Sequence, residues 1–486
     1  MNLKAIIYIG LSVIIICSSL NISALLPKSI TDDIWADGKF VGMIKIGKST
    51  GNITGMMNLG RDSSKGVFIA TTQIGDVTCE AKGWFREKLL FGFFKKGIIY
   101  TPFFGNIALK RSSFEADLIL PKGSIEATYK ASYLPPISGE YGIGVKEYHL
   151  VDESREEVLT DDPVDNREFM LKVWYPTDYD VEGEWYEYMT EIMFAWLMGR
   201  APIPLPGVSE TAYMDVMPHG KVDVPISVNT EPFPVVLFAH GLDGTIEIYS
   251  SFIEELVSRG YVVLSMNHPY IAGVVEFPDG RTVYHQDASW QNDTEYADKA
   301  FRTIIEDAKY ALDYAELLNA PNMTFDGRLD MDHVGMYGHS FGGASTSVCC
   351  TEDTRIDCGL TLDGVIYRDW LPDGVTKPFF MMTADGRLNT TGVEYIWEKE
   401  ESNVYKMSII GSTHYGYTDV GLLLSHMLPL IPQELLNFGT VDAKVMTEIV
   451  RLFVVEFFDV YLKSEPLQGI IDLAEEFDSY IHFDYK

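Results

Sequence analysis

The chain has 486 residues, a hydrophobic fraction of 47% and an aromatic fraction of 13%, enough apolar surface for large cores and more than one ordinary domain needs. Its formal charge of −32 excludes nucleic acid as a natural partner, because phosphate binding needs clustered Lys and Arg. Five cysteines without a CxxC pair give neither a disulfide framework nor a zinc site.

Residues 1–25 open with Lys4, then carry no charge until Lys28. The apolar run Ala5–Cys17 and the small residues Ser19, Ser23 and Ala24 fit a signal peptide, while the length of the uncharged span also allows a retained membrane anchor. Either way the chain is expected to be exported, secreted or held at the outer membrane face. Sequons at Asn52, Asn292, Asn322 and Asn389 fit export.

Residues 30–135 predict a small all-β domain of unknown role, a sandwich or meander. Short β-branched or alternating runs such as GVFIATTQI and FEADLIL are separated by turn residues, and the segment contains no histidine and no motif. YLPPISGEYG (133–142) reads as a linker. The stretch 151–191 carries 14 acidic residues and reads as a solvated surface loop.

From about 140 to the C-terminus the pattern is α/β. VKEYHLV and MLKVWYP open as strands, and PFPVVLFAH (232–240) is a buried strand. TIEIYSSFIEELVSRG is a helix ending at Gly260, YVVLSMNHP a second buried strand, and 294–320 a helix with one apolar face. HVGMY, CGLTLD, KPFFMMTAD and KMSIIGS follow as short strands. Strands alternating with helices predict a mostly parallel sheet covered on both faces, with reactive groups just past the strand ends. The insert at about 176–231 is expected to cap the pocket.

The motif GHSFGG places Ser340 between Gly338 and Gly342, after a strand and before a helix. In that context the glycines permit a sharp strained turn and Ser340 reads as a nucleophile. A serine hydroxyl needs a base. His339 is too close along a tight turn to serve and reads as a packing or hydrogen-bonding residue. His414 follows the strand KMSIIGS among turn residues, whereas His426 lies in a helical stretch and His482 in the tail, so His414 is the expected base. Two strand ends offer the acid, Asp363 and Asp385. The Gly-rich LFAHGLDG turn points to Leu242 as one oxyanion N–H donor, and Phe341, after the nucleophile, as the other. Cys349 or Cys350 pairing with Cys358 is as compatible with the spacing as free thiols.

Over roughly 143–464 the chain resembles the platelet-activating-factor acetylhydrolase (lipoprotein-associated phospholipase A) family of α/β-hydrolases. The likeness rests on MLKVWYP, FPVVLFAHGLDG, GMYGHSFGGAS with RIDCGLTLDG after it, and KMSIIGSTHYGYTD, with WLMG (196–199) and HMLPL (426–430) alongside. The resemblance implies an α/β-hydrolase fold, no metal or cofactor, and Asp363 as the acid, giving a Ser340–Asp363–His414 set. It also implies a carboxylic ester hydrolase acting on short-chain or oxidised acyl groups of phospholipid-like substrates, with a weak interfacial membrane contact. Ile192, Met193, Trp196 and Leu197 are the candidates for that contact or for a lid. Secreted polyester hydrolases carry an ADG-like segment, but their acid falls near Arg387 here, which weakens the case for Asp385. A general secreted carboxylesterase or polyester hydrolase is the alternative within enzymes, and a surface binding protein with a vestigial hydrolase domain the alternative outside them. The N-terminal β segment departs from the family pattern.

Overall fold

A computed structural model describes residues 34–486 apart from short stretches, the longest of which are 61–64, 201–207, 209–212, 287–293 and 428–432. The leader and Cys17 lie outside the described residues. The described residues divide into two compact units, one up to residue 136 and one from residue 137 on, apart from a short stretch at 214–217 that groups with the first.

The first unit is a closed barrel of eight strands, β1 (Ile34–Ile46), β2 (Ser49–Gly60), β3 (Lys65–Ile74), β4 (Val77–Arg86), β5 (Leu89–Lys96), β6 (Ile99–Leu109), β7 (Ser113–Leu120) and β8 (Gly123–Ala131). Each pairs antiparallel with the next, and β8 closes on β1 through partners such as Ile44 and Ile125. The sequence pattern allowed a sandwich or a meander; the structure is a meander whose first and last strands have joined, which removes the exposed edges of an open sheet. Period-2 alternation turns Ile44, Ile53, Phe68, Phe85, Leu90, Phe103, Ile107 and Ile125 inward. A Cβ on Gly92 would lie 2.3 Å from the Phe103 ring, so that glycine makes room for the aromatic filling.

The second unit holds a ten-stranded sheet ordered β11-β9-β10-β13-β12-β16-β17-β18-β19-β20. In chain order its elements are β9 (Gly142–Glu156), β10 (Asn166–Thr177), α1 (Glu191–Gly199), β11 (Gly220–Val222), β12 (Phe233–Ala239), α2 (Ser250–Ser258), β13 (Val262–Asn267), the hairpin β14 (Val274–Glu276) and β15 (Thr282–Tyr284), and α3 (Thr294–Leu318). Then come β16 (Leu329–His339), α4 (Ser340–Glu352), β17 (Ile356–Leu362), β18 (Phe379–Ala384), α5 (Thr391–Lys399), β19 (Val404–Ile409), α6 (Val420–Met427), α7 (Ala443–Leu462), α8 (Gln468–Glu476) and β20 (Ile481–Tyr485). The run β13-β12-β16-β17-β18-β19 is parallel throughout. Antiparallel β9, β10 and β20 extend it at the edges.

Alternation along β16 shows how the sheet is covered. Met336 joins the core that includes Ile304, Ile305 and Leu312 of α3 and Ala344 and Val348 of α4, while the next residue, Tyr337, meets Phe458 of α7 on the opposite face. The predicted helix from Thr245 splits into a 3-10 turn, Ile246–Tyr249, followed by α2.

The acidic run departs from its reading as a solvated loop. Asp152 and Glu157 are buried. Arg167, also buried, bonds Glu157 at 2.7 Å and Asp307 at 2.6 Å, and Arg155 bridges Asp152 and Asp307. Charges leave water at modest cost only when so paired. Burial of Asp307 alone would raise its carboxyl; the Arg167 guanidinium and His268 beside it instead hold it well below the usual range. Cys349, Cys350 and Cys358 are free and buried.

Candidate active site

The site forms where β16 runs into α4. Ser340 begins the helix with φ +54°, a left-handed backbone that strains any residue but glycine, and the turn lifts its side chain off the sheet. The flanking glycines are required by space. A Cβ on Gly342 would lie 2.2 Å from the Ala239 carbonyl oxygen of β12, and one on Gly338 would lie 2.5 Å from Gly342.

His414 follows β19 in a 3-10 turn, His414–Tyr417. Its Nε2 is 2.8 Å from Ser340 Oγ, and its Nδ1 is 2.5 Å from Asp363 Oδ2. Residues 74 and 51 positions apart along the chain are thus brought into one line. Asp363 is buried just past β17 with φ +49°, and its Oδ1 accepts the Ala384 N–H at 2.9 Å. Asp385, the other acid the residues allowed, accepts the Gly411 N–H at 2.8 Å and so braces the loop after β19. His482 is exposed on β20, and His426 lies on α6 with its side chain outside the described set.

On the other side of Ser340 lies the 240–245 turn. Gly241 N–H donates to the Tyr249 hydroxyl, Asp243 N–H to the Ile271 carbonyl and Gly244 N–H to the Gly241 carbonyl. Leu242 lies between these bonded residues and lines the cavity over Ser340. The Phe341 N–H belongs to the first turn of α4, where helix N–H groups have no intrahelical acceptor, and no side chain caps that end. Leu242 and Phe341, on separate backbone segments, line the same cavity as Ser340.

A cavity of about 650 Å³ opens over these groups. Its walls include Trp196, Leu242, Tyr367, Tyr415, Leu424 and Phe438, and Arg200, Asp243 and His285 lie on one side. Arg200 Nη2 is 2.9 Å from Asp243 Oδ1. The four residues read as an interfacial contact or a lid are divided between surface, core and cavity. On α1, Ile192 is exposed and Met193 is buried, while Trp196 and Leu197 line the cavity. Helical spacing put them near one another, but the packing of Trp196 against Gly273, where a Cβ would come within 2.1 Å of the indole, turns the helix toward the pocket. The geometry is that of a cavity wall.

Arg387 and Asp419 carry no sequence signal for the contacts they make here, while His339 makes the hydrogen bonds its sequence position suggested. Arg387 Nη1 lies 2.5 Å from Asp363 Oδ2, sharing that oxygen with His414. His339 contacts both Tyr249 and the His414 backbone. Asp419, five residues past His414, accepts the Ser251 N–H at 3.0 Å and the Ser251 hydroxyl, and burial pushes its carboxyl up to about 7. Among the described residues no cluster of three His, Cys, Asp or Glu is arranged to hold a metal ion.

The arrangement can make a hydroxyl nucleophilic and stabilise an oxyanion beside it. The family model described as platelet-activating factor acetylhydrolase, isoform II matches residues 127–275 and 310–475, well over half of the chain. The chain is 25% identical over 278 residues to the platelet-activating factor acetylhydrolase of Cavia porcellus, a match covering 50% of this chain and 62% of that protein. It is 25% identical over 253 residues to a probable 1-alkyl-2-acetylglycerophosphocholine esterase of Arthroderma benhamiae, covering 48% and 62%. The match thus spans less than two thirds of either relative. Among solved structures, a ferulic acid esterase from Streptomyces cinnamoneus superposes with a TM-score of 0.57 at 26% identity, over 68% of this chain and 93% of that one, which supports the α/β-hydrolase fold. On the extent of the family match, the chain belongs to the platelet-activating factor acetylhydrolase isoform II family.

Proposed function

We propose that the chain is a serine hydrolase of carboxylic esters, with Ser340 as nucleophile, His414 as base and Asp363 as the acid that orients it. The single observation that carries this reading is the continuous contact from Asp363 Oδ2 through both ring nitrogens of His414 to Ser340 Oγ. Ser340 attacks the ester carbonyl while His414 takes its proton. The Leu242 and Phe341 amides receive the oxyanion. His414 then protonates the leaving alcohol and later activates water against the acyl-enzyme. Asp363 holds the imidazole in the tautomer with its proton on Nδ1 and stabilises the imidazolium.

The substrate proposed is a phospholipid-like ester with a short or oxidised acyl chain, in line with the names of the relatives. A cavity of about 650 Å³ suits a short acyl group and part of an alcohol. The aromatic walls Trp196, Tyr367 and Tyr415 favour a second reading, a broader carboxylesterase that accepts aromatic acyl esters, as the name of the solved neighbour suggests for that protein. Parallel assays on nitrophenyl acetate, a phosphatidylcholine with a short second acyl chain, and methyl ferulate separate the two. The first reading expects the short-acyl phospholipid to give the highest kcat/KM. Preference for methyl ferulate, with the phospholipid inert, would reject it.

Export is proposed as well. Asn52, Asn322 and Asn389 are exposed, and Asn292 lies outside the described residues. No helix among the described residues is long and apolar enough to cross a membrane.

A further inference from the structure

We propose that His339 and Tyr249 are positioning residues: together they tie the oxyanion-side turn to the loop carrying His414 and set the distance between the two halves of the site. This rests on the reading of Ser340 as nucleophile and deepens it.

The inference follows from donors and acceptors. His339 Nε2 lies 3.0 Å from the backbone carbonyl oxygen of His414. A carbonyl only accepts, so Nε2 carries the proton. Nδ1 of a neutral imidazole is then bare, and the Tyr249 hydroxyl at 2.9 Å must donate to it. That leaves the phenol oxygen free to accept the Gly241 N–H at 3.3 Å. One placement of protons satisfies the whole run, Gly241 N–H to Tyr249 to His339 to the His414 carbonyl, and every bond points the same way.

The surroundings hold that placement. His339 and Tyr249 are both buried, and burial, then the neighbouring His414, keeps the His339 imidazole well below its usual value, hence neutral. Its ring lies 4.6 Å from the His414 ring. On the other side a Cβ on Gly241 would be 2.9 Å from His339 Nδ1, so the turn rests directly against the imidazole. His339 also precedes Ser340 in the chain. One imidazole therefore gauges three backbones at once: the elbow, the turn that offers the Leu242 amide, and the residue whose side chain meets Ser340. Displacement of a reacting group by about 1 Å can cost about a hundredfold in rate, so such a gauge acts chiefly on turnover, although Gly241, Tyr249 and His339 also line the cavity.

The test uses the full chain with nitrophenyl acetate, measuring wild type, Ser340→Ala, Tyr249→Phe, His339→Leu, His339→Gln and the Tyr249→Phe/His339→Leu double variant, with thermal midpoints for all. Tyr249→Phe is expected to lower kcat about tenfold and His339→Leu about fiftyfold, with KM within about twofold of wild type. His339→Gln, whose amide can still donate to the His414 carbonyl, is expected to recover part of the loss. The double variant should be within about twofold of His339→Leu, because both lesions cut one chain. Unchanged kcat in Tyr249→Phe and His339→Gln, or losses that multiply in the double variant, would overturn the proposal. So would a His339→Gln variant that regains neither turnover nor thermal midpoint over His339→Leu. An inactive wild type would instead reject the hydrolase reading itself, and Ser340→Ala supplies that control.

Discussion

At the scale of single residues, the contest for the acid shows what spacing can and cannot decide. Asp363 and Asp385 both end strands, and each sits one residue before a glycine. Their contacts differ: Asp363 Oδ2 meets His414 Nδ1, whereas Asp385 accepts the Gly411 N–H. Asp363→Asn is therefore expected to lower kcat about 10³- to 10⁴-fold, through the wrong imidazole tautomer, with little change in KM. Asp385→Asn is expected to keep most of the turnover. Steady-state kinetics on the two purified variants checks this, and the reverse pattern would reassign the acid. Ser340 and His414 were legible because a nucleophile elbow needs glycines at fixed positions and the base must follow a strand in a turn. Tyr249, Arg387 and Asp419 were not, since nothing in their own neighbourhood of sequence says which distant backbone they will meet. The same limit applies to Ile192, Met193, Trp196 and Leu197, read as an interfacial contact or a lid: helical period fixes which residues are neighbours but not which way the helix is turned.

At the scale of elements, the strands and helices that carry the site were readable as short apolar runs and one long amphipathic period. β12, β13, α3 and β16 to β19 occupy the stretches their patterns indicated. The hairpin β14–β15, the edge strand β20 and helix α7 were not readable. The two hairpin strands have three residues each, β20 mixes His482 and Asp484 with its aromatics, and α7 is apolar on most sides, as a helix packed into a core must be. Asp419 joins two of these elements, since it sits between the His414 turn and α6 and holds Ser251 at the start of α2. Its folded carboxyl titrates near 7 against an ordinary 3.8, chiefly because burial disfavours the charge, with Glu254 adding to the effect and the Ser251 bonds opposing it. A raised folded value means that the native state holds the proton longer than the unfolded chain does. The contribution is then fully present below about 3.8 and is lost as pH rises toward about 7. Stability is expected to fall through that window by up to about 1.4 kcal/mol per pH unit from this group. Asp419→Asn should remove that slope. Denaturant unfolding at pH 5, 6 and 7 reads it, and identical slopes in the variant and wild type would contradict the assignment.

At the scale of the whole molecule, the core inside the barrel and the main core on the ten-stranded sheet have no residue in common among the described residues. The all-β character of the first was legible in its alternation. Its closure was not, because the pairing of β1 with β8 joins residues as far apart as Gly38 and Ala131 by backbone bonds that leave no compositional trace. Separate cores make a separable prediction. Phe85 is fully buried in the barrel, and Phe85→Ala should destabilise that unit by about 3 kcal/mol or more. Turnover of nitrophenyl acetate should stay within about twofold of wild type at 25 °C. Calorimetry together with kinetics measures both, and a proportional loss of turnover would show that the two cores depend on each other.

The hydrolase reading stands or falls on the reactivity of one oxygen. Treating the native protein with a fluorophosphonate and locating the added mass by peptide sequencing tests it most directly. The account predicts stoichiometric modification at Ser340, abolished in Ser340→Ala and strongly slowed in His414→Ala. A wild-type protein that is folded yet unmodified, or modified at another residue with Ser340 intact, would contradict it.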